Sequence, residues 1–267
     1  MKPEQQRTHA RDYIASLAAT GRYNFDSSDA RKALGVSAGA SKLALSRLAR
    51  QKMIASPARG FYVVVPPEYR SLGCLPADQF IPALMRRLGQ PYYVGLLSAA
   101  QYHGAAHHRP QEFQVLLSKA RRTIHCGQVR VAFIVRRRLQ DVPVQSLNTQ
   151  RGTILVSTPE ATAVDLVGYP RHAGGLDQVT TILSELADQI DPEKLAAAAQ
   201  TAPLPWGQRL GYLLDHIGAG KKAVALKNHV GNTARESVPL LPGASRADAH
   251  RDPDWKVIVN TEIEVEL

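Results

Sequence analysis

The sequence contains few cysteines and no long apolar run, and each absence excludes a class of protein. Cys74 and Cys126 are the only cysteines among 267 residues. They lie far apart and form no paired framework, which excludes a disulfide-stabilised fold and favours a reducing compartment. No segment approaches the length needed to cross a bilayer, and the N-terminus lacks the apolar core of a signal peptide. We therefore expect a soluble, cytoplasmic protein without membrane contact.

The short motifs of common enzymes are also missing. The sequence contains no glycine-rich phosphate loop, no Gly-x-Ser-x-Gly elbow and no cysteine–histidine pair at usable spacing. His103 and His107 are one helical turn apart, and His108 follows them. Gly104 lies in that turn, however, and no acid precedes His107 as it does in zinc proteases. We predict neither a metal site nor a cofactor.

A nuclease-like set of side chains was considered and is incomplete. Glu112, Gln114 and Lys119 lie near a predicted strand, and Asp165 or Glu160 would have to join them. A metal-dependent nuclease needs two acids that converge on a divalent cation. Glu160 is better interpreted as an acid in the first turn of a helix, and Asp165 as a local hydrogen-bonding group. We therefore predict no catalytic residues and no enzymatic activity.

The residues that are present describe an ordinary globular protein with an uneven charge. Hydrophobic residues make up 44% and charged residues 21%, and the length allows two domains. Residues 1–60 hold 11 Lys or Arg against 4 Asp or Glu, residues 61–140 hold 11 against 3, and residues 141–267 hold 11 against 16. Because basic surfaces attract polyanions, this distribution predicts that nucleic acid binds the first half.

Residues 26–65 follow the order of parts in a winged helix-turn-helix: a short helix, a break, a longer helix and a basic hairpin. Asp26 and its neighbours supply acceptors for a helix N-terminus, and Gly35 ends that helix because glycine tolerates positive φ. Ser37 then caps a helix predicted from Ala38 to Lys52. The alternative is an ordinary helix pair whose cations only face solvent.

The second helix has two different faces when it is wound at 100° per residue. Ser41, Ala44, Leu45 and Leu48 cluster on the side that we expect to be buried. The opposite side offers cations, a hydroxyl and a leucine to the major groove, and the hairpin that follows forms the wing. The residues predicted to contact DNA are Ser37, Lys42, Leu43, Ser46, Arg47, Arg50, Lys52 and Arg59, with Lys42, Ser46 and Arg50 nearest the bases.

The rest of the chain predicts a second, larger domain. Proline and glycine breakers indicate a connector at 67–76, which separates the winged helix-turn-helix at 1–66 from a domain at 77–267. Helical and strand patterns alternate irregularly in that domain, so the predicted class is α+β: an N-terminal winged helix-turn-helix followed by a larger mixed α+β domain. Gly231 to Pro253 is predicted as loop, and Trp255 to Val259 as a closing strand.

Two groups of arginines flank β-runs in the second domain and leave two interpretations open. Adjacent strands could bring them together as a second nucleic-acid contact. Equally, they could be a solvated edge whose charges block sheet-to-sheet aggregation. The residues of this basic patch are Arg121, Arg122, Arg136, Arg137 and Arg138.

Several motifs occur in an order that resembles one family over nearly the whole chain. They are RGFYVV at the end of the wing, PYYVGLLSAAQYHGAAHHRPQEFQV, VSTPEATAVDLVGYPRHAGGLDQV, WGQRLGYLL and, near the end, WKVIVN. Together they resemble the AbiEi-type antitoxins of bacterial abortive-infection, type IV toxin–antitoxin systems. The acidic tail of Glu262, Glu264 and Glu266 has no role that we can assign from this resemblance.

The resemblance implies a transcriptional autorepressor that is also an antitoxin. Its winged helix would bind double-stranded DNA at inverted repeats in the promoter of its own operon. Its C-terminal domain would be required to neutralise a nucleotidyltransferase-like toxin encoded next door, without a stable complex between the two proteins. The family has no catalytic residues to carry over. Monomers could bind side by side on the repeats, so a stable dimer in solution is not required.

A second hypothesis is a one-component transcriptional regulator whose C-terminal domain senses a small ligand. It predicts a sizeable apolar pocket with a few convergent polar groups. Neither the operator nor the target of the toxin follows from the sequence.

Overall fold

The N-terminal segment combines three helices with a small sheet in the computed structural model, which describes residues 9–105, 111–247 and 249–264. Its elements are α1 (Ala10–Ala19), β1 (Asn24–Asp26), α2 (Ser27–Leu34), α3 (Ala38–Arg50), β2 (Ile54–Ala58) and β3 (Phe61–Val64). The strands pair antiparallel in the order β1-β3-β2. β1 therefore adds a third strand to the hairpin of β2 and β3.

Local signals position α2 and α3 as the sequence predicts. Gly35 ends α2 with φ 61°, a conformation that costs glycine little. The Ser37 hydroxyl accepts a hydrogen bond from the Ala40 amide at 3.3 Å and so caps α3. Leu45 and Leu48 of α3 are buried with Phe25 of β1 in one apolar cluster, which holds the helices to the sheet.

A six-stranded mixed sheet forms the middle of the molecule. Its strands run in the order β6-β7-β5-β4-β9-β8, with β5 parallel to β7 and β4 parallel to β9. The strand β8 was not predicted. The elements of this region are α4 (Ala77–Leu88), β4 (Tyr92–Val94), α5 (Leu96–Tyr102), β5 (Phe113–Leu117), β6 (Ile124–Cys126), β7 (Val129–Val135), β8 (Val144–Thr149) and β9 (Gly152–Ser157).

The two faces of this sheet are covered by different layers. Val115 and Leu117 pack with α4 and with Val63 of β3 in one apolar cluster. Leu116 and Ile134 belong to a second cluster with the later helices. Residues that alternate along β5 therefore join different cores, as the period of a strand requires. One core is shared between the N-terminal segment and the six-stranded sheet.

Helices and a three-stranded sheet complete the chain. Every residue from Glu160 to Val167 of α6 is buried, so α6 is the central helix of this layer. The small sheet has the order β10-β12-β11. The elements are α6 (Pro159–Gly168), α7 (Leu176–Leu186), α8 (Pro192–Gln200), α9 (Leu204–His216), α10 (Val224–Thr233), β10 (Val238–Pro239), β11 (His250–Asp252) and β12 (Val257–Val259).

This last sheet corrects the loop predicted from Gly231 to Pro253. That stretch contains the end of α10 and the strands β10 and β11. Both strands are only two or three residues long and pair with β12, so they have no periodicity of their own to detect. The closing strand begins at Val257 and not at Trp255, because the Trp255 ring packs against α9.

Two tryptophans lie directly on glycines. A Cβ atom added to Gly211 of α9 would lie 2.0 Å from the Trp255 ring, and one added to Gly168 would lie 2.3 Å from the Trp206 ring. The Trp255 indole also donates a hydrogen bond to Asp215 at 2.6 Å. The first contact joins the motif WGQRLGYLL, which contains Gly211, to the motif WKVIVN, which begins with Trp255. Over the described ranges, no helix has the length and apolar character to span a membrane.

Candidate nucleic-acid interface

The exposed face of α3 carries the residues that were predicted to lie nearest the bases. Lys42, Ser46 and Arg50 are all exposed, and Leu43 is 62% exposed. On the opposite side Ser41, Leu45 and Leu48 are each 3% exposed. The predicted division of α3 into a buried and an open face is confirmed. Contact of the open face with DNA stays a prediction.

The flanking residues surround this face. Ser37 lies at the N-terminus of α3, where its hydroxyl accepts the Ala40 amide. Arg47 is exposed on the helix, and Lys52 follows the helix in a left-handed turn with φ 54°. Arg59 is exposed in the turn between β2 and β3, where a cation can reach a neighbouring phosphate.

The charge around α3 is of one sign. Residues 30–67 contain seven Lys or Arg and no Asp or Glu. Of the acids just before this stretch, Asp29 pairs with Arg22 at 2.6 Å, and Asp26 pairs with Arg87 of α4 at 2.5 Å. Because both acids are already paired with cations, they reduce the positive potential of this surface less than free carboxylates would.

The second basic patch needs a correction. The parallel pairing of Leu117 with Val135 does bring the two arginine segments to the ends of adjacent strands. Arg136, however, is only 2% exposed and cannot belong to a surface patch. Arg122 and Arg137 are exposed and Arg121 is partly buried. For these and for Arg138, both interpretations stay open.

Two of the remaining arginines have partners of their own. Arg138 pairs with Asp141 at 2.9 Å. The Arg121 guanidinium lies 5.6 Å from the centre of the Phe133 ring. Burial lowers the pKa of Arg121, and the charge of Arg87 adds to this shift. Phe133 packs against the apolar cluster that contains Val63 of β3, so Arg121 lies on the side of the sheet that faces the N-terminal segment.

Arg136 is instead the centre of a buried polar network. Its Nε donates to Asp165 at 2.9 Å, and its Nη1 donates to the carbonyl oxygen of Thr201 at 3.2 Å. The Tyr93 hydroxyl donates to the other Asp165 oxygen at 2.6 Å. The guanidinium lies 5.0 Å from the centre of the Trp206 ring. Asp165 thus connects β4, β7 and α6, and its partners are distant in sequence and not local as predicted.

The titration of Asp165 reflects this environment. Burial raises the pKa of its carboxyl group, while the Arg136 charge and the Tyr93 hydrogen bond oppose that shift. Both oxygens of Asp165 accept hydrogen bonds, so the burial of this acid has a structural explanation. Among the contacts of the described residues, no second acid joins Asp165 as a metal-dependent nuclease requires. Glu160 lies in the first turn of α6, as predicted.

Comparison with known proteins agrees with the motifs. Residues 93–216 match the family of AbiEi antitoxin C-terminal domains. Residues 93–216 therefore resemble an AbiEi domain. The predicted resemblance to AbiEi-type antitoxins is confirmed, and its motifs include the network of Tyr93 and Asp165. No curated protein sequence matches the chain.

One solved structure shares the fold over most of the chain. The crystal structure of the RV2827C protein from Mycobacterium tuberculosis matches this chain with a TM-score of 0.68 and 18% identity. The match covers 93% of this chain and 90% of the RV2827C chain. A nucleotidyltransferase-like antigenic protein from Paracoccidioides brasiliensis has a TM-score of 0.40 and 11% identity over 57% of this chain and 90% of its own. The second similarity is too low to indicate a shared fold.

Arg87 joins α4 to the N-terminal segment. Besides its ion pair with Asp26, it approaches the Arg59 carbonyl oxygen at 3.4 Å through Nη2. Its guanidinium lies 5.9 Å from the centre of the Phe61 ring. One side chain therefore contacts the start of α2, the hairpin turn and β3. The sequence showed Arg87 only as a cation near a helix C-terminus, because its partners are far away in the chain.

Arg151 of the AbiEi domain forms a second junction. Its guanidinium lies 3.4 Å from the centre of the Tyr23 ring, and its Nε donates to Gln79 at 2.6 Å. Glu68, within the predicted connector, is 3.7 Å from Arg151. The N-terminal segment is thus attached to the rest of the molecule by arginines from α4 and from the turn between β8 and β9.

Changing Arg87 to Ala should loosen this attachment. We expect a loss of about 1–2 kcal/mol of stability, because a partly exposed ion pair and a cation–π contact disappear together. The melting temperature of the purified protein would fall by roughly 2–8 °C. Arg86→Ala is the matched control, since Arg86 is the exposed neighbour of Arg87. Equal melting temperatures for the two variants would contradict the proposed attachment.

The ranges that the structure describes have no cluster of metal ligands but do contain cavities, one of them of about 400 Å³ between α1 and α3. No group of three or more His, Cys, Asp or Glu there could hold a metal ion. The His103 ring nitrogen lies 2.8 Å from the Ser157 carbonyl oxygen, and His107 and His108 lie outside the described residues. A cavity of about 380 Å³ between α4, α5 and the starts of β5 and β7 is lined largely by polar residues, among them Glu112 and Arg130.

The other side chains of the predicted nuclease set have different positions. Gln114 is buried, accepts the Leu97 amide at 2.9 Å and donates to the His172 carbonyl oxygen at 2.7 Å. Lys119 is exposed after β5. Gln114 therefore serves to hold α5 and the segment after α6 against the sheet.

Proposed function

We propose that this protein is a DNA-binding transcriptional autorepressor and an antitoxin. Its N-terminal segment would act as a winged helix-turn-helix that binds inverted repeats in the promoter of its own operon. The single observation that carries this proposal is the open face of α3, which is cationic and free of acids, while Leu45 and Leu48 on the other side are buried. A helix with these properties is suited to the major groove.

Each residue has a proposed role in that complex. Lys42 and Ser46 would approach base edges, with Arg50 beside them, while Leu43 would meet a thymine methyl group. Phosphates would be held by Ser37, Arg47, Lys52 and Arg59. The proposed division of the chain is a DNA-binding domain at 1–66, a connector at 67–76 and an antitoxin domain at 77–267.

The AbiEi domain supports the antitoxin part of the proposal. We propose that it counteracts a nucleotidyltransferase-like toxin without a stable complex, and that monomers bind side by side on the DNA repeats. Co-expression tests this directly: the full chain should restore growth to cells that express a toxin encoded beside its gene. Rescue by the Lys42→Ala/Arg50→Ala variant would show that the antitoxin role does not need DNA binding.

A gel shift with the upstream promoter tests the DNA-binding role. We expect Lys42→Ala/Arg50→Ala to weaken binding by about 30-fold or more, because a good base contact contributes roughly 1–3 kcal/mol. Arg47→Ala should lower the slope of log K against log salt by about 0.9. Circular dichroism would verify that the variants fold.

The control removes the same charge from another surface. Lys194 and Lys221 are exposed on the helical layer, away from α3, so Lys194→Ala/Lys221→Ala should bind nearly as the wild type does. If both double variants bound the promoter equally well, the assignment of α3 as the reading helix would be wrong.

A further inference from the structure

The two cysteines, far apart in the sequence, lie side by side in the structure. Both belong to the apolar cluster between the N-terminal segment and the six-stranded sheet. The chain just before Cys74 runs along the turn after Cys126, where the Gln128 amide donates to the Leu72 carbonyl oxygen at 2.7 Å. The Gln128 side chain also donates to the Ser71 carbonyl oxygen at 3.2 Å.

Glycine makes this close approach possible. A Cβ atom at Gly127 would lie 2.1 Å from the Leu72 carbonyl oxygen, so a larger residue would push the two segments apart. Gly127 also has φ 59°, which favours glycine in the turn between β6 and β7. The contact between the two segments is therefore determined by the backbone as well as by the side chains.

The two thiols differ in chemistry. Its side-chain contact with Cys126 raises the pKa of Cys74, and burial raises it further. The same contact lowers the pKa of Cys126, against an opposing effect of burial, and the Ser56 backbone contributes a further lowering. Cys126 is 8% exposed and Cys74 is 0% exposed. Cys126 is thus the more accessible residue, and its lowered pKa favours the thiolate, which is the reactive form.

We propose that Cys74 and Cys126 form a peroxide-sensitive dithiol site that closes to an intramolecular disulfide. The Cys126 thiolate attacks one oxygen of hydrogen peroxide, the O–O bond breaks, and a sulfenic acid and hydroxide form. The hydroxide takes up the Cys74 proton to give water. The Cys74 sulfur then attacks the sulfenic sulfur, and hydroxide leaves as the S–S bond forms. The proton that Cys126 lost at the start converts this hydroxide to a second water. Two thiols lose two electrons in total, and one peroxide is reduced to two waters.

The position of the site gives the bond a structural consequence. Cys74 precedes α4, which carries Arg87, and Cys126 lies on β6 beside Ser56 of the hairpin. A disulfide would tie the chain before α4 to the edge of the sheet at the junction with the N-terminal segment. Because it closes a long loop, it should restrict the unfolded state and stabilise the protein.

The test uses the full-length protein under native conditions. After treatment with hydrogen peroxide, the intact mass should fall by two hydrogens, and a tryptic digest should contain one cross-linked peptide pair with Cys74 and Cys126. The melting temperature should rise by about 5–10 °C. A reducing agent should reverse the change in mass and in melting temperature.

Single variants provide the control. In Cys74→Ala, which keeps the site apolar, peroxide should add oxygen to Cys126 and cause no loss of two hydrogens. The proposal would be overturned if both thiols of the wild type remained titratable after treatment, or if only disulfides between separate molecules formed.

Discussion

Gly211→Ala should destabilise the protein by at least about 3 kcal/mol, since overpacking a rigid core seldom relaxes at small cost. The added Cβ atom would lie 2.0 Å from the Trp255 ring. Trp255 cannot easily move away, because the ring is 1% exposed and its indole nitrogen is bonded to Asp215. Either α9 must separate from the ring, or β12, which follows Trp255, must shift together with its sheet.

Thermal unfolding of the purified variant measures the effect, and we expect the melting temperature to fall by about 6–12 °C. Gly231→Ala is the matched control, because Gly231 lies in α10 with nothing within 4 Å of an added Cβ atom. Alanine is favoured over glycine by up to about 1 kcal/mol inside a helix, so this variant should be as stable as the wild type or more so. A Gly211→Ala protein with the same melting temperature as the wild type would refute the packing described for Trp255.

Asp165→Ala should cost about 3–5 kcal/mol, because it leaves the Arg136 guanidinium charged and unpaired in the core. Arg136 is 2% exposed and cannot turn to water without opening the contact between β7 and α6. Tyr93 would lose the acceptor of its 2.6 Å hydrogen bond in the same change. The loss should therefore exceed that of Tyr93→Phe, which removes one hydrogen bond and leaves the ion pair intact.

Denaturant unfolding of a small series separates charge from packing. The double change Asp165→Leu/Arg136→Met removes both charges and should be closer to the wild type than Asp165→Ala, as is common when a buried ion pair is replaced by apolar residues. The exposed pair of Arg138 and Asp141 is the control. Asp141→Ala should change stability by no more than about 1 kcal/mol. Equal losses for Asp141→Ala and Asp165→Ala would contradict the structural role of the network.

Much of the candidate interface could be predicted because its determinants are local. Gly35 and Ser37 act on the backbone within three or four residues, and the burial of Leu45 and Leu48 follows from helical periodicity. These features need no knowledge of the rest of the fold. The AbiEi motifs were recognisable for a related reason, since each is a short run of consecutive residues.

The second basic patch shows where such reasoning ends. Arg136, Arg137 and Arg138 are consecutive and chemically identical, yet Arg136 is buried on Asp165 while Arg137 is exposed. The side chains of β7 and of the residues that continue it alternate between two faces. The packing of α6 against one of these faces buries Arg136. Composition alone cannot separate a solvated arginine from one that completes a buried ion pair.

Residue order and composition were thus sufficient for α2 and α3, the open face of α3, the α+β class and the AbiEi resemblance, because each depends on spacing along the chain. The pairing of Cys74 with Cys126, the attachment through Arg87 and the short strands around β12 depend on contacts between segments dozens of residues apart. Such contacts form only when the sheets and helices pack together, because no local periodicity encodes which distant segments will meet.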